Sequence, residues 1–446
     1  MARDSFNSKF GAIMALAGSA VGLGNIWRFP HETGSNGGGA FLLVYLFCIF
    51  CIGIPTMLAE FIIGRRGQRN PFGSFRTLAP KTRWYWYGGL SILAATLILS
   101  YYGTVSGWTL EYFMYAVGDS FHNQSSAEIN NLFEKFVSHP YKPILWHIGF
   151  MVICSLIIIM GVKNGIERYT KMMMPVLLLI IIALGVRACT LDGAQAGIKY
   201  LFYPDFSKLT WKSVLAALGQ SFFSLSIGMG ALMTYASYIN CDDSLLQIST
   251  RVVVADTVVS ILAGLAILPA VFAFDVDPAS GPNLVYITLP QVFDQMPLGY
   301  IWGIAFFILL TFASVTSAIS LLEVCVAFLT EEKKMSRLKA TILSSAVITI
   351  LGVFCTLSFG PMRNVTLFGK TFFDLFDSIS SNFILPFGGI LICLFVGWKM
   401  KVRDVYFELS SRGKYELKSF RVLMLIIKYV APTAIFIVLM SSLGIF

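Results

Sequence analysis

The stretch Gly18-Ser-Ala-Val-Gly-Leu-Gly-Asn25 decides how this chain is read. It interrupts an apolar run that begins near Phe10. A helix crossing a bilayer should not carry Gly-x-Gly there, because glycine lowers helix stability and loosens the backbone. A partial echo follows in the second half, Ser224-Leu-Ser-Ile-Gly-Met-Gly230, in which Ile227-Gly228-Met229-Gly230 matches Val21-Gly22-Leu23-Gly24. Glycine-interrupted hydrophobic segments at corresponding places in two halves point to a binding site between repeats. Non-helical backbone at membrane depth is tolerated only where protein or a water-filled cavity satisfies its polar groups. Gly18-xxx-Gly22 alone would read as close helix packing; its repetition favours a site.

Composition agrees. Of 446 residues, 56% are hydrophobic and 13% charged, with mean hydropathy +0.74, and apolar runs recur along the whole length. This is the signature of an integral membrane protein rather than a soluble core with an anchor. Polar Met1 to Lys9, followed by a run too long for a signal-peptide core, predicts no cleavable signal. The net charge of +9 reads as basic residues in cytoplasmic loops, not as a nucleic-acid surface. Cys48 and Cys51 fall in an apolar run, where CxxC reads as helix surface rather than a zinc or redox site.

Eleven apolar segments have spanning length: 10–30, 40–64, 86–117, 144–161, 170–188, 213–239, 247–273, 299–329, 340–358, 378–398 and 422–444. With the N-terminus inside, inner segments hold 23 of the 33 Lys and Arg and outer segments hold eight. The other two, Arg28 and Lys428, lie in or beside spans. That asymmetry predicts N-terminus in and, after eleven crossings, C-terminus out. Outer loops 118–143 and 189–212 are long enough to fold over the protein, and 274–298, without Lys or Arg, is a candidate lid.

Ionisable residues within spans are costly and therefore informative. Glu60 is placed to accept N–H groups exposed by an unwound segment, and Glu323 reads as structural. Asp256 and the Thr316–Ser317 pair are the better functional candidates, because hard oxygen ligands suit an alkali cation.

At these residues the chain resembles the neurotransmitter:sodium symporter family, nearly end to end. The carrying motifs are Ala20-Val-Gly-Leu-Gly-Asn-Ile-Trp-Arg-Phe-Pro30, Asn36-Gly-Gly-Gly-Ala-Phe41 and Gly219-Gln-Ser-Phe-Phe-Ser-Leu-Ser-Ile-Gly-Met-Gly230. Asp374-Leu-Phe-Asp377 and Leu385-Pro-Phe-Gly-Gly389 add to them. The resemblance implies an all-α integral membrane fold of eleven helices. Residues 1–188 would form the first inverted repeat of five helices, 189–400 the second, and 401–446 a cytoplasmic loop with a peripheral helix. Helices 1 and 6 would be unwound at mid-membrane.

It also implies sodium as coupling ion at two sites and no organic cofactor. The first site would use the Ala20 carbonyl, Asn25, Ser224 and Asp256, completed by the substrate carboxylate. The second would use carbonyls of Gly18, Val21 and Ala313 with the hydroxyls of Thr316 and Ser317. The substrate-binding set is Ser19, Ala20, Gly22, Leu23 and Gly24 at the first break, Ser224 at the second, and Tyr102 on the carboxylate. Ile98, Phe223, Ser226, Met229, Ser317, Ala318 and Leu321 would form the side-chain subpocket. Gly22 stands where amine transporters of this family carry an aspartate, so an amino acid is expected over a monoamine. The mostly apolar wall predicts a hydrophobic L-amino acid, branched or aromatic. A carboxylate at Asp256, where chloride-dependent members are neutral, predicts chloride-independent transport; Ser260 has the spacing of their serine.

Arg28 and Asp374, bridged by Gln220, resemble an outer gate. Arg3 and Glu331, near Phe6 and Tyr238, resemble an inner latch in which the family's aspartate and tryptophan are replaced by Glu331 and Phe6. Gly165 and Pro175 resemble a motif at which helix 5 unwinds. The partners expected are an amino acid and the lipid bilayer of the cell membrane, without nucleic acid; the oligomeric state is not legible. An enzyme is disfavoured: HExxH, Walker A and zinc spacings are missing, and His31, His122, His139 and His147 are dispersed. The alternative is a membrane amino-acid sensor of the same fold that binds without transport.

Overall fold

Apolar runs punctuated by glycine and polar clusters fold, in the computed structural model, into helices alone. Residues 5–274 and 284–445 are described, and among them there is no strand beyond isolated bridging pairs. The chain opens with α1 (Lys9–Ala20), α2 (Gly24–Ser35), α3 (Gly39–Gly67) and α4 (Pro71–Leu78). It continues through α5 (Tyr85–Val117), α6 (Ser126–Val137), α7 (Lys142–Ile159), α8 (Val162–Cys189) and α9 (Ala194–Phe202). Next come α10 (Trp211–Ser224), α11 (Ala231–Ala236), α12 (Leu245–Ala273), α13 (Leu289–Asp294) and α14 (Gly299–Glu332). Last are α15 (Arg337–Leu357), α16 (Phe372–Lys399), α17 (Val402–Leu409) and α18 (Phe420–Ser442).

Among the described residues, nine helices are long and apolar enough to cross a bilayer: α3, α5, α7, α8, α12, α14, α15, α16 and α18. The pair α1 and α2, bent by 54°, makes a tenth if taken as one span. Its bend falls at the first glycine motif, where Val21 is extended at φ −75° and ψ 105°. The predicted segment 213–239 is likewise divided, between α10 and α11. Ser226, Gly228 and Gly230 between them have φ of 54°, 86° and 76°, left-handed values that a right-handed helix cannot absorb. Gly228 is required twice over, since a Cβ there would also stand 2.8 Å from the Leu385 carbonyl oxygen.

One boundary differs from the sequence reading. α8 begins at Val162, not near 170, because its polar first turns are satisfied locally. Buried Glu167 accepts from the Asn7 backbone N–H at 2.7 Å and the Ser8 hydroxyl at 3.1 Å and pairs with Lys171. A carboxylate so paired tolerates a buried position that hydropathy alone rejects. The helix winds through Gly165 and Pro175 without the expected unwinding. A Cβ at Gly165 would lie 2.0 Å from the Ile157 carbonyl, so in this structure the glycine lets α8 pack closely on the end of α7.

Long α5 packs on α14, α7 and α15, α12 packs on α8, and α1 lies among α12, α8 and α14. Both interruptions therefore sit inside the bundle, while α18 is peripheral against α16. Large apolar side chains stay exposed at Leu156, Leu179 and Ile350, the surface of a bundle solvated by lipid. The described part of the third outer loop turns inward: buried Tyr286 donates its hydroxyl to the Val105 carbonyl at 3.2 Å.

Candidate functional site

The bend between α1 and α2 puts Asn25 on the inner side of a turn, its Oδ1 accepting from the Gly22 N–H at 3.0 Å. Its Nδ2 reaches Ser224 Oγ at 3.0 Å, Asp256 Oδ1 at 2.6 Å and Ser260 Oγ at 2.9 Å. Ser224, the last residue of α10, donates to both Asp256 oxygens at 2.8 and 2.9 Å. Tyr45 of α3 completes the hub, its hydroxyl 3.3 Å from Asp256 Oδ2. All five side chains are buried. Three of the predicted first-sodium ligands thus converge from three helices, the Asp256 carboxylate with the Ser224 hydroxyl and the Asn25 amide, whose nitrogen here occupies the carboxylate and whose oxygen takes the Gly22 N–H. That is a hard donor set for a monovalent cation, and no cluster of His, Cys, Asp and Glu suited to a transition metal occurs among the described residues.

The second predicted cation set also comes together. Ser317 Oγ on α14 lies 3.4 Å from the Gly18 carbonyl and 3.3 Å from that of Val21, both left without helical partners at the end of α1. Thr316 Oγ1 donates to the Ala313 carbonyl at 3.1 Å, and its Cβ would be 3.1 Å from a Cβ on Gly18.

Between these sets the two interruptions face each other. Ser226 donates to the Ser19 carbonyl at 2.9 Å, and Ser19 Oγ bonds Ser320 Oγ at 2.8 Å. Glu60 on α3 accepts from the Gly228 N–H at 2.6 Å, as expected for a carboxylate serving an unwound segment. A cavity of about 30 Å³ lies at the meeting point. Its lining contains every predicted substrate residue except Ala318, which is fully buried behind it. The Tyr102 hydroxyl accepts from the Leu23 N–H at 3.4 Å. A Cβ on Gly22 would come within 2.4 Å of Ser317 Oγ, so any side chain at this position displaces that hydroxyl.

Above the cavity a vestibule of about 280 Å³ shares Tyr102 and Phe223 with it, and these two rings form the partition. The predicted outer gate requires correction. Arg28 pairs with Glu32 at 3.5 Å and lies 4.6 Å over the Phe223 ring. Asp374 is exposed and occupied in capping α16 with Thr371, whereas Asp377, one turn on, lines the vestibule with Arg28. Gln220 does not bridge the pair; its Nε2 donates to the Gly24 carbonyl at 3.1 Å.

At the opposite end, Arg3 lies outside the described residues. Phe6 donates its N–H to the Tyr238 carbonyl at 3.1 Å and stacks edge-on against Tyr235 and Tyr238. Glu331 accepts from the Asn70 backbone and side chain at 2.7 and 2.9 Å. Glu323 is bound by Arg337 at 2.6 Å and by the Tyr238 hydroxyl at 2.8 Å, in keeping with a structural role. Sequence reasoning missed Tyr45, Ser320 and Asp377. Tyr45 carries no local signal, being one aromatic in an apolar helix, but Asp377 was visible in the same motif as Asp374.

A multi-pass helical bundle whose interrupted helices meet at an enclosed cavity beside buried cation-competent oxygens is a membrane transporter. The sequence profile described as "Sodium:neurotransmitter symporter family" matches residues 3–133 and 142–446. The chain belongs to that family and is a sodium-dependent transporter. It is 38% identical to the uncharacterized sodium-dependent transporter YhdH of Bacillus subtilis, over 98% of this chain and 97% of that one. Identity is 33% to an uncharacterized sodium-dependent transporter of Haemophilus influenzae, over 99% and 98% of the two chains. Among solved structures, MhsT in complex with L-phenylalanine superposes with a TM-score of 0.91 at 44% identity, covering 99% of this chain and 100% of that one.

Proposed function

We propose that this chain is a sodium-coupled symporter of hydrophobic L-amino acids, branched or aromatic, working by alternating access. The observation that carries the reading is the joint made by Ser19, Asn25, Ser224, Ser226 and Asp256, where both interruptions and a buried carboxylate border one cavity. The main-chain N–H groups at the first interruption, with the Tyr102 hydroxyl on the Leu23 N–H, suit an α-carboxylate once it displaces these internal acceptors, and the carbonyls of Gly18, Ala20 and Val21 suit cations. Met229, Ile98 and Leu321 offer an apolar wall, and Gly22 supplies no anion for a monoamine. The complex of MhsT with L-phenylalanine supports the substrate class. About 30 Å³ is roughly the room one water occupies, so an amino acid enters as Phe223 and Tyr102 part.

In this reading two sodium ions are bound, chloride is not required, and α1–α2 and α10–α11 each form one broken span among eleven. Residues 1–188 and 189–400 are inverted repeats, with the N-terminus cytoplasmic and the C-terminus outside. Proteoliposomes with an inward sodium gradient should accumulate labelled L-phenylalanine or L-leucine, and replacing sodium by choline should abolish uptake. Saturable binding without accumulation would instead make the protein a sensor. Preference for glycine or a dicarboxylic amino acid would overturn the substrate class.

A further inference from the structure

Away from the hub, a groove of about 490 Å³ opens on the outside of the bundle between the first turns of α5 and the middle of α16. Its walls are apolar, chiefly Leu90, Phe387, Leu391 and Trp86, the last 67% exposed. One cation, Arg83, lines it. The contrast with its neighbours is informative. Arg65 and Arg66 pair with Glu408, and Arg69 and Arg76 pair with Glu332. Exposed Lys81 and Arg83 follow in the same loop without a carboxylate partner among the described residues, and of the two only Arg83 lines the groove.

We propose that this groove binds an anionic membrane phospholipid, with the headgroup phosphate on Arg83 and an acyl chain along Leu90, Phe387 and Leu391. A guanidinium pairs phosphate in two-point geometry and is the natural complement of an anionic headgroup. Trp84, Tyr85 and Trp86 beside it form the aromatic band found where a span leaves the hydrocarbon. Basic pockets between spans on the positively charged side of a membrane protein take such headgroups. An apolar trough at this depth meets acyl chains rather than water, which excludes a soluble phosphate ester as the natural occupant.

The groove also borders the transport machinery. Tyr87 lines it, and the Tyr87 hydroxyl lies 3.1 Å from where a Cβ on Gly388 would stand. The Gly228 carbonyl is 3.5 Å from the same point. A lipid here therefore presses on the wall behind the second helix interruption.

The test is thermal unfolding and native mass spectrometry of delipidated full-length protein titrated with phosphatidylglycerol, phosphatidylcholine or inorganic phosphate. Phosphatidylglycerol should raise the unfolding midpoint and remain bound, whereas phosphatidylcholine and phosphate should do neither. R83Q should weaken phosphatidylglycerol binding about tenfold or more, and L90W, which fills the trough without altering charge, should abolish it. R403Q in the first turn of α17, outside the groove lining, serves as the matched loss of one exposed basic charge and should leave binding intact. Equal responses to both lipids, a full response to phosphate alone, or unchanged binding in both R83Q and L90W would overturn the proposal.

Discussion

Gly22 and Asp256 carry the sharpest consequences at the scale of single residues. A methyl group at Gly22 has Ser317 Oγ 2.4 Å, Ser317 Cβ 3.3 Å and the Tyr102 hydroxyl 3.3 Å away, so it must displace the Ser317 hydroxyl and crowd the other two. Overpacking of this kind costs about 1–3 kcal/mol of stability, so G22A should lower the unfolding midpoint and, because its methyl intrudes on the cavity Gly22 lines, weaken substrate binding about tenfold or more. Scintillation-proximity binding measures it, and wild-type affinity in G22A would show that the cavity lies elsewhere. Asp256 provides the one negative charge of the hub, held by Asn25, Ser224 and Tyr45. D256N should raise the sodium concentration for half-maximal binding about tenfold or more. Its residual uptake should become sensitive to replacing chloride with gluconate, whereas wild-type uptake should not. Both residues were legible in the sequence because each breaks a local rule, glycine within a span and a carboxylate within a span. Tyr45 and Ser320 break none, and only the packing of α3 and α14 against the hub reveals them.

Among the elements, the interruptions are held by partners on helices that do not share their sequence. Glu60 bonds the Gly228 N–H from α3, and Leu385 of α16 closes against Gly228 from the other side. E60A leaves that main-chain donor buried without its acceptor, a loss of about 1–3 kcal/mol, and should lower the unfolding temperature with sodium and substrate absent. The places of most spanning helices were readable from hydropathy, yet the start of α8 was not, because Glu167 and Lys171 cancel each other in three dimensions. The short α17 escaped notice for the same reason. Buried Arg65 bonds Glu408 at 3.0 Å and the Asp243 carbonyl at 2.6 Å, and Arg66 bonds Asp404 at 2.9 Å. This clasp joins the end of the span α3 to the α11–α12 connection and α17, two pieces that hydropathy treats as unrelated loops. Removing the carboxylate in E408A strands a buried guanidinium at about 3 kcal/mol. If alternating access moves α3 relative to α16 and α18, labels on α3 and α17 should separate more often in E408A than in wild type; an unchanged distance distribution would assign the clasp to folding alone.

For the whole molecule, charge balance makes the coupling measurable without knowing the preferred amino acid in advance. A zwitterionic substrate carries no net charge, so if two sodium ions move inward with it, as proposed, they carry two positive charges per cycle. Each charge crossing about 100 mV gains about 2.3 kcal/mol, and two gain about 4.6 kcal/mol, or roughly three powers of ten in accumulation ratio. Proteoliposomes clamped inside-negative should therefore accumulate substrate far above the level reached at zero potential with the same sodium gradient. Solid-supported membrane recordings should show an inward positive current that requires sodium and substrate together. Asp256 sharpens this test, since its fixed charge balances cations without a co-transported anion, so the current should persist in gluconate. An electroneutral cycle would mean that a cation moves outward or an anion inward with each turnover, whereas one positive charge per substrate would mean that one of the two oxygen sets, at Asn25–Asp256 or at Thr316–Ser317, does not carry sodium. T316A and D256N show which set is coupled, because removing a coupling site lowers the accumulation reached at a given potential, whereas removing an uncoupled one leaves it unchanged.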